Sequence, residues 1–187
     1  GAGQEVARWF FKVGGAAGTI AKAMSAYDMK FSDDIYGREE SGRYVVESRV
    51  RKMLEHEYSL LETRLSDEEN RNKYFFAFAD TVAAKSFKYT GDCHGWMGVR
   101  FQQGPTDKPS QVVIHVRMLD KTNLHQQEAL GILGVNLIYA CYNLHDKPEE
   151  FLKSLLHGEL KNRVEINVIR FEGPLFDESK EIENNLL

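Results

Sequence analysis

Three short segments near the middle of the chain constrain the fold most, because aromatic and β-branched residues are concentrated in them. They read KYFFAFADTVAAKSFKY, HGWMGVRFQ and SQVVIHVRML, and the turn-forming stretches TGDC and GPTDKPS separate them. This composition is typical of strands, and short loops favour antiparallel neighbours. A fourth strand is predicted in NRVEINVIRFEGP, which alternates apolar and polar residues. We therefore predict an antiparallel sheet of about four strands.

Helical periodicity flanks these strands. VVESRVRKMLEHEYSLLETRL carries an apolar stripe from Val46 to Leu65, and DKTNLHQQEALGILGVNLIYACYNLH is predominantly apolar. Asn123 and Gln126 are spaced as a capping box for the second helix. Pro148 marks the start of a further helix that Gly158 can end. The order α-α-β-β-β-α-α-β predicts an α+β domain whose helices pack on one face of the sheet.

Strand and helix faces together predict the core. We expect the sheet to contribute Val99, Val112, Ile114, Val116, Val164 and Ile166, and the helices to contribute Val13, Leu130, Leu133 and Leu137. Alternation also places Val168 with Val164 and Ile166.

The stretch FFKVGGAAGTIAKAMSAYDM has two interpretations. Apolar residues from Val6 to Phe31 recur at spacings of three and four, which predicts a helix. Beside them runs a stripe of small residues suited to close packing within the fold or between subunits: Gly14, Gly18, Ala21 and Ser25. The alternative is a phosphate-binding loop in which a helix begins at Gly18 and Lys22 contacts the phosphate, although Walker-type spacing is absent.

Composition limits the classes of function. The 187 residues fit one domain, which we place at residues 1–176, followed by an acidic stretch at 177–187 that leads towards a further module. The net charge of −4 argues against bulk electrostatic binding of nucleic acid. Two cysteines without metal-type spacing suit a cytoplasmic protein, and the longest apolar run is too short to cross a bilayer.

Polar residues of the predicted strands share one sheet face. They are Trp96, Arg100, His115, Arg117, Glu165 and Asn167. The two arginines are suited to binding a phosphate or carboxylate, with His115 and Trp96 beside them and Lys22 as a further contact. The alternative is that this face is simply the solvated side of an antiparallel sheet.

The histidines are candidates for acid–base and metal chemistry. His94 and His115 lie in predicted strands, and Asp92 and Asp120 are the neighbouring carboxylates that could orient them. Their spacing matches no metal-binding pattern, and we predict neither a metal site nor a cofactor.

Long stretches of the chain resemble the N-terminal part of an uncharacterised bacterial family. They include FFKVGGAAGTIAKAMSAYDMKFSDDIYG, FFAFADTVAAKSF, CHGWMGVRFQ, IHVRMLDKTNLHQQEALGILGVNLIYA and RFEGPLF, within residues 5 to 176. Members of that family are variously called nicotinate-nucleotide adenylyltransferase or TonB-dependent receptor. The first name implies a motif similar to G-x-F-x-P-x-T-x-x-H, which this sequence lacks. The second implies a barrel of many strands, which the helical content argues against.

Two hypotheses about function follow from these patterns and the resemblance. The leading one is a non-catalytic ligand-binding or assembly domain at the N-terminus of a larger bacterial protein. Its partners would be a second copy, a downstream domain, or a nucleotide or phosphate ligand. The alternative is a nucleotide- or phosphate-handling enzyme domain, related to nicotinate-nucleotide metabolism, that uses Arg100, His115 and Arg117. Binding to nucleic acid or to a membrane is not expected.

Overall fold

One mixed sheet organises the chain in the computed structural model, which describes residues 19–25, 29–67, 72–85, 91–176 and 180–183. Its strands lie side by side in chain order: β1 (Thr19–Ser25), β2 (Tyr74–Ala83), β3 (His94–Phe101), β4 (Ser110–Met118), β5 (Val164–Glu172) and β6 (Lys180–Glu183). β1 runs parallel to β2, and the other neighbouring pairs are antiparallel. The predicted α+β fold is confirmed, and the predicted four-stranded antiparallel sheet corresponds to β2–β5.

Helices pack on both faces of this sheet, so the expectation that one face carries them all is wrong. The described helices are α1 (Met29–Tyr36), α2 (Glu47–Arg64), α3 (Asn123–Asn143), α4 (Pro148–Leu155) and a 3₁₀ helix (Gly158–Asn162). α3, α4 and the 3₁₀ helix share a core with one side of the strands. α2 forms a second core with the opposite side. We call these sides the α3 face and the α2 face.

The α3 face contains the predicted core. Val99, Val112, Ile114, Val116, Val164, Ile166, Leu130, Leu133 and Leu137 are all buried there. Phe78 and Met97 are also fully buried on this face. Val13, the remaining predicted member, lies outside the described residues. α3 is apolar around most of its circumference, which suits a helix placed against a sheet with a second helix beside it.

Small residues let α2 approach the other face closely. β2 alternates Phe76 and Phe78 on the α3 face with Ala77 and Ala79 on the α2 face. A Cβ added at Gly98 would lie 2.7 Å from Cδ1 of Leu54 in α2. The alternation of the strands predicted only one covered face, because the α2 face carries alanine and glycine instead of large apolar residues. These small residues leave room for α2 to pack there.

Residues 19–25 form a strand, although a helix was predicted through this stretch. Each pairs with a residue of β2, from Thr19 with Tyr74 to Ser25 with Asp80. Pairing along the edge of β2 satisfies backbone groups that a helix would satisfy internally, so tertiary context overrides the local pattern. Ala21 and Ser25, two members of the predicted small-residue stripe, therefore lie in a strand and not in a helix. The other two members, Gly14 and Gly18, lie outside the described residues.

Two smaller predictions are also corrected. The N-cap of α3 is Thr122, whose Oγ1 accepts from the backbone N–H of His125, while Gln126 instead bonds to the backbone of Asp120 and Lys85. Val168 does not belong to the buried row of β5, because an irregularity in the β4–β5 register at His115 and Val116 shifts the alternation.

A buried ionic cluster joins α1 and the following loop to α2. The Arg49 side chain is 0% exposed and forms ion pairs with Asp33 at 2.9 Å and Glu39 at 3.4 Å. Glu39 also contacts Lys52 and accepts from the Ser48 hydroxyl. This cluster could not be predicted from the sequence, because the segment around α1 has the composition of a polar link.

The loop between α1 and α2 continues from this cluster to the sheet. The Tyr44 hydroxyl donates to Asp33 at 2.6 Å, and the Tyr44 carbonyl accepts from Thr81 at 2.8 Å. These contacts anchor the loop beside Trp96, the register partner of Thr81. None of the helices in the described ranges has the length and apolarity needed to cross a membrane.

Candidate functional site

A chain of hydrogen bonds links three polar side chains on the α2 face. Nδ1 of His94 lies 3.0 Å from Nε2 of His115, and Nδ1 of His115 lies 3.1 Å from Oδ1 of Asn167. The three residues come from β3, β4 and β5, so three adjacent strands hold them. The Trp96 ring lies 4.9 Å from the His115 ring, between centroids. We call this group the His94–His115–Asn167 chain.

We assign the tautomers of the two histidines from the hydrogen-bond pattern. Because Oδ1 of Asn167 is an acceptor, Nδ1 of His115 carries the proton and donates to it. Nε2 of His115 is then the acceptor for Nδ1–H of His94. Nε2 of His94 remains as the outer end of the chain, and no described residue is hydrogen-bonded to it. His94 is therefore an oriented imidazole whose outer nitrogen is free for a ligand.

His115 remains neutral more readily than an ordinary histidine. Burial lowers the pKa of His115, the proximity of His94 lowers it further, and the hydrogen bond to Asn167 opposes both effects. Two charged imidazoles whose nitrogen atoms are 3.0 Å apart would repel each other, which favours the neutral form of His115.

We expect this arrangement to make stability depend on pH. The folded pKa of His115 lies below its unfolded value, so the unfolded chain binds more protons and stability is lost as pH falls below about 6.5. The free energy of unfolding, measured in urea at about pH 7.5 and about pH 5.5, should fall less in His115→Gln than in the wild type. The control variant His157→Gln replaces an exposed histidine, and its free energy of unfolding should fall between the two pH values as much as that of the wild type. Equal slopes in all three proteins would contradict this role for His115.

Arg117 and Glu165 lie beside the His94–His115–Asn167 chain. Arg117 is opposite His94 in the β3–β4 register and opposite Glu165 in the β4–β5 register. The Arg117–Glu165 ion pair is 3.6 Å long, and the side chains are 52% and 41% exposed. An exposed pair of this kind contributes about 0–1 kcal/mol. Arg117 can therefore contact a ligand without losing a strong partner.

Asn167 lies at an irregularity of the β4–β5 register, next to His115. The register shift between β4 and β5 falls at His115 and Val116, next to Asn167. Such bulges re-aim side chains and are over-represented beside functional sites. Here the irregularity leaves Asn167 between the residues that pair with His115 and Val116. Without the shift, the register of Arg117 with Glu165 and Val116 with Ile166 would continue to His115 opposite Asn167; with it, Val168 pairs with His115 and the Asn167 side chain still bonds to the His115 ring.

Arg100 and Lys22 lie away from the His94–His115–Asn167 chain. Arg100 is opposite Gln111 in β4, six residues before Arg117, which corresponds to about 20 Å along the strand. Its guanidinium donates to Gln111 and lies 5.4 Å from the centre of the Tyr58 ring. Lys22 pairs with Ala77, which pairs in turn with Arg100. The predicted anion site thus divides in two: Trp96, His115 and Arg117 at one end, Arg100 and Lys22 at the other.

Other groups considered for chemistry have structural partners. Asp120, expected to orient a histidine, instead binds Nε of Arg163 at 2.8 Å. The thiol of Cys93 is directed to the carbonyl of Gly91. Cys141 is fully buried, and burial raises its pKa. Among the described residues, no group of three or more His, Cys, Asp or Glu side chains could hold a metal ion.

The sequence identified His94 as a candidate for acid–base chemistry but did not place it with Trp96, His115 and Arg117 in the predicted anion site. The strand assignment began the polar row at Trp96, yet two residues earlier the same alternation places His94 on the same side. Extending the row by one step would have found it. Asn167, which accepts a hydrogen bond from His115, was already in the polar row, because alternation along β5 places it on the same side as Glu165.

A shallow cavity of about 200 Å³ lies elsewhere on the molecule. Its lining comes from the β3–β4 loop and the turn after β5: Gln103, Asp107, Lys108, Pro174 and Leu175. All of these side chains except Leu175 are exposed. The cavity has no oriented hydrogen-bond network, and we therefore place the candidate site at the His94–His115–Asn167 chain.

Comparison with known proteins assigns no relative to this chain. No family model, curated protein or solved structure matches it.

Proposed function

We propose that this protein is a non-catalytic ligand-binding domain and that its ligand presents an anionic group to Arg117 and His94. The supporting observation is the His94–His115–Asn167 chain, which fixes the orientation of His94 beside an arginine that has a weak, exposed partner. An oriented imidazole and a guanidinium together suit a carboxylate, phosphate or sulfate group.

The supporting geometry favours binding at one end of the sheet. Trp96, His115 and Arg117 occupy neighbouring positions in the β3–β4 ladder, so a small ligand can contact several of them at once. The enzyme hypothesis needs Arg100, His115, Arg117 and Lys22 to converge on one phosphate. The register instead separates Arg100 from Arg117 by about 20 Å. We therefore retain the binding hypothesis and do not propose a reaction.

A thermal-shift panel tests the proposal. Nucleotides, dinucleotides, sugar phosphates and simple carboxylates are added to the full chain, and a ligand at about 100 times its dissociation constant should stabilise the fold by about 2.7 kcal/mol. We expect stabilisation by at least one anionic compound and none by its uncharged analogue. No response to any member of the panel would contradict the proposal.

Replacing Arg117 with methionine should separate binding from folding. Much of the aliphatic stem remains, and losing an exposed ion pair should change stability by about 1 kcal/mol or less. Affinity for the anionic compound, measured by calorimetry, should fall about tenfold or more, because a charge-assisted hydrogen bond is lost.

The matched control is Arg100→Met, which removes the same charge from the other end of the α2 face. It should leave affinity within about twofold of the wild type, because each tenfold change needs about 1.4 kcal/mol and Arg100 is too distant to contribute that. If Arg100→Met weakens binding and Arg117→Met does not, the site has been placed at the wrong end of the sheet. Destabilisation of several kcal/mol by Arg117→Met would show that its role is structural.

A further inference from the structure

We infer that anion binding at this site is coupled to the uptake of one proton, which is carried by His94; the inference rests on the proposed function. The first step is the cross-strand geometry. His94 and Arg117 are directly opposite in the β3–β4 register, where Cβ atoms are about 5 Å apart. A neutral His94 is compatible with that neighbour. A protonated His94 forms a like-charge pair with Arg117, which is unfavourable unless an anion lies between them.

The second step is which imidazole takes the proton. His115 uses both ring nitrogens, one with His94 and one with Asn167, and its side chain is only partly accessible. His94 uses Nδ1 alone, so Nε2 can accept a proton without breaking a described hydrogen bond. The His94 cation would still donate through Nδ1–H to Nε2 of His115. Neutral His115 thereby stabilises the charged form of its neighbour.

The third step is the balance of charges around His94. β4 contributes Arg117, β5 contributes Glu165 next to Arg117, and β2 contributes the uncharged Ala83. Asp92 precedes His94 on the same chain segment. Asp92 has an interaction of its own, and Glu165 offsets Arg117 in the ion pair, so the site formed by His94, Arg117 and Glu165 is close to neutral when His94 is neutral. Proton uptake then gives the site one net positive charge.

Thermodynamic linkage joins these steps. An anion that contacts both His94 and Arg117 stabilises the protonated form of the site, and by reciprocity protonation strengthens anion binding by the same factor. The ligand class that follows is an oxyanion, such as a carboxylate, sulfate or phosphate group, bound more tightly in mildly acidic than in mildly alkaline solution.

Inorganic sulfate is the suitable probe, because its charge does not change across the titration range of histidine. Sulfate binding to the full chain is measured by calorimetry at about pH 5.5 and about pH 8, at constant ionic strength, in buffers with different heats of ionisation. We expect about tenfold tighter binding at the lower pH and an uptake approaching one proton per sulfate between the two extremes. The buffer dependence of the heat measures the proton directly.

The variant His94→Gln retains a hydrogen-bonding side chain but cannot be protonated. It should bind sulfate with similar affinity at both pH values, whereas His157→Gln, which replaces an exposed histidine after α4, should retain the wild-type pH dependence. If His94→Gln does not fold, the proton uptake of the wild type alone decides the question. Sulfate binding that is equal at both pH values, without proton uptake, would overturn the coupling and leave the anion site intact. A lack of sulfate binding at either pH would overturn the anion site itself.

Discussion

Replacing Arg49 with methionine is expected to lower the free energy of unfolding by about 3–5 kcal/mol, because the change removes the fully buried cation that pairs with Asp33 and Glu39. Arg49 is 0% exposed, and Glu39, one of its partners, has a side chain that is 4% exposed. The lost contacts also include the bond from Arg49 to the carbonyl of Ser32 in α1 and the stacking of its guanidinium on the Tyr44 ring. Urea unfolding monitored by circular dichroism provides the measurement.

The matched control is Arg64→Met, which removes an arginine from the last turn of the same helix. Arg64 is exposed, so the change should be within about 0.5 kcal/mol. A loss of less than about 1 kcal/mol in Arg49→Met would show that the ionic cluster is not what holds α1 to α2.

The Arg49 variant also tests how the fold supports the site. The loop between α1 and α2 is held to the Arg49 cluster through Asp33 and Tyr44, and it contacts Thr81, the register partner of Trp96. Loosening this loop should therefore weaken anion binding even under conditions in which the variant remains folded. The effect would act through position, since Arg49 does not contact the His94–His115–Asn167 chain.

Sequence patterns were sufficient where side chains sort strictly between core and solvent. β3, β4 and the first half of β5 were predicted with the correct faces, because valine, isoleucine and methionine alternate there with polar residues. α2 and α3 were predicted from long apolar stripes. The core list was confirmed for every member within the described residues.

Residues 19–25 show why periodicity alone can fail. Ile20 and Met24 are four residues apart, and that spacing places two side chains on one side of a helix and also on one side of a strand. The same holds for Ala21 and Ser25. With so few positions, helix and strand predict the same pattern, and the available edge of β2 decides between them.

The candidate site shows a different limit. Alternation correctly placed Arg100 and Arg117 on one face, but it does not say where along the strands they lie. That information comes from the β3–β4 connection, in which Phe101 pairs with Ser110. Counting back from this loop places Arg100 close to it and Arg117 far from it. The distance between Arg100 and Arg117 along the sheet could therefore have been predicted from the strand alternation together with the position of the β3–β4 loop.

Truncating Leu137 to alanine is expected to lower the free energy of unfolding by about 2–5 kcal/mol, through lost apolar burial and the cavity left in the core. Leu137 is 0% exposed in α3 and belongs to the cluster between that helix and the sheet.

The matched control is Leu124→Ala in the first turn of the same helix, where the side chain is 74% exposed and the change should be within about 0.5 kcal/mol. Both variants make the same chemical change in the same helix, so the difference between their urea unfolding curves isolates burial. Leu137 packs on the α3 face and Arg117 lies on the α2 face, so sulfate affinity should be unchanged in the folded Leu137→Ala variant. Similar stabilities for the two variants would mean that α3 does not pack against the sheet through Leu137.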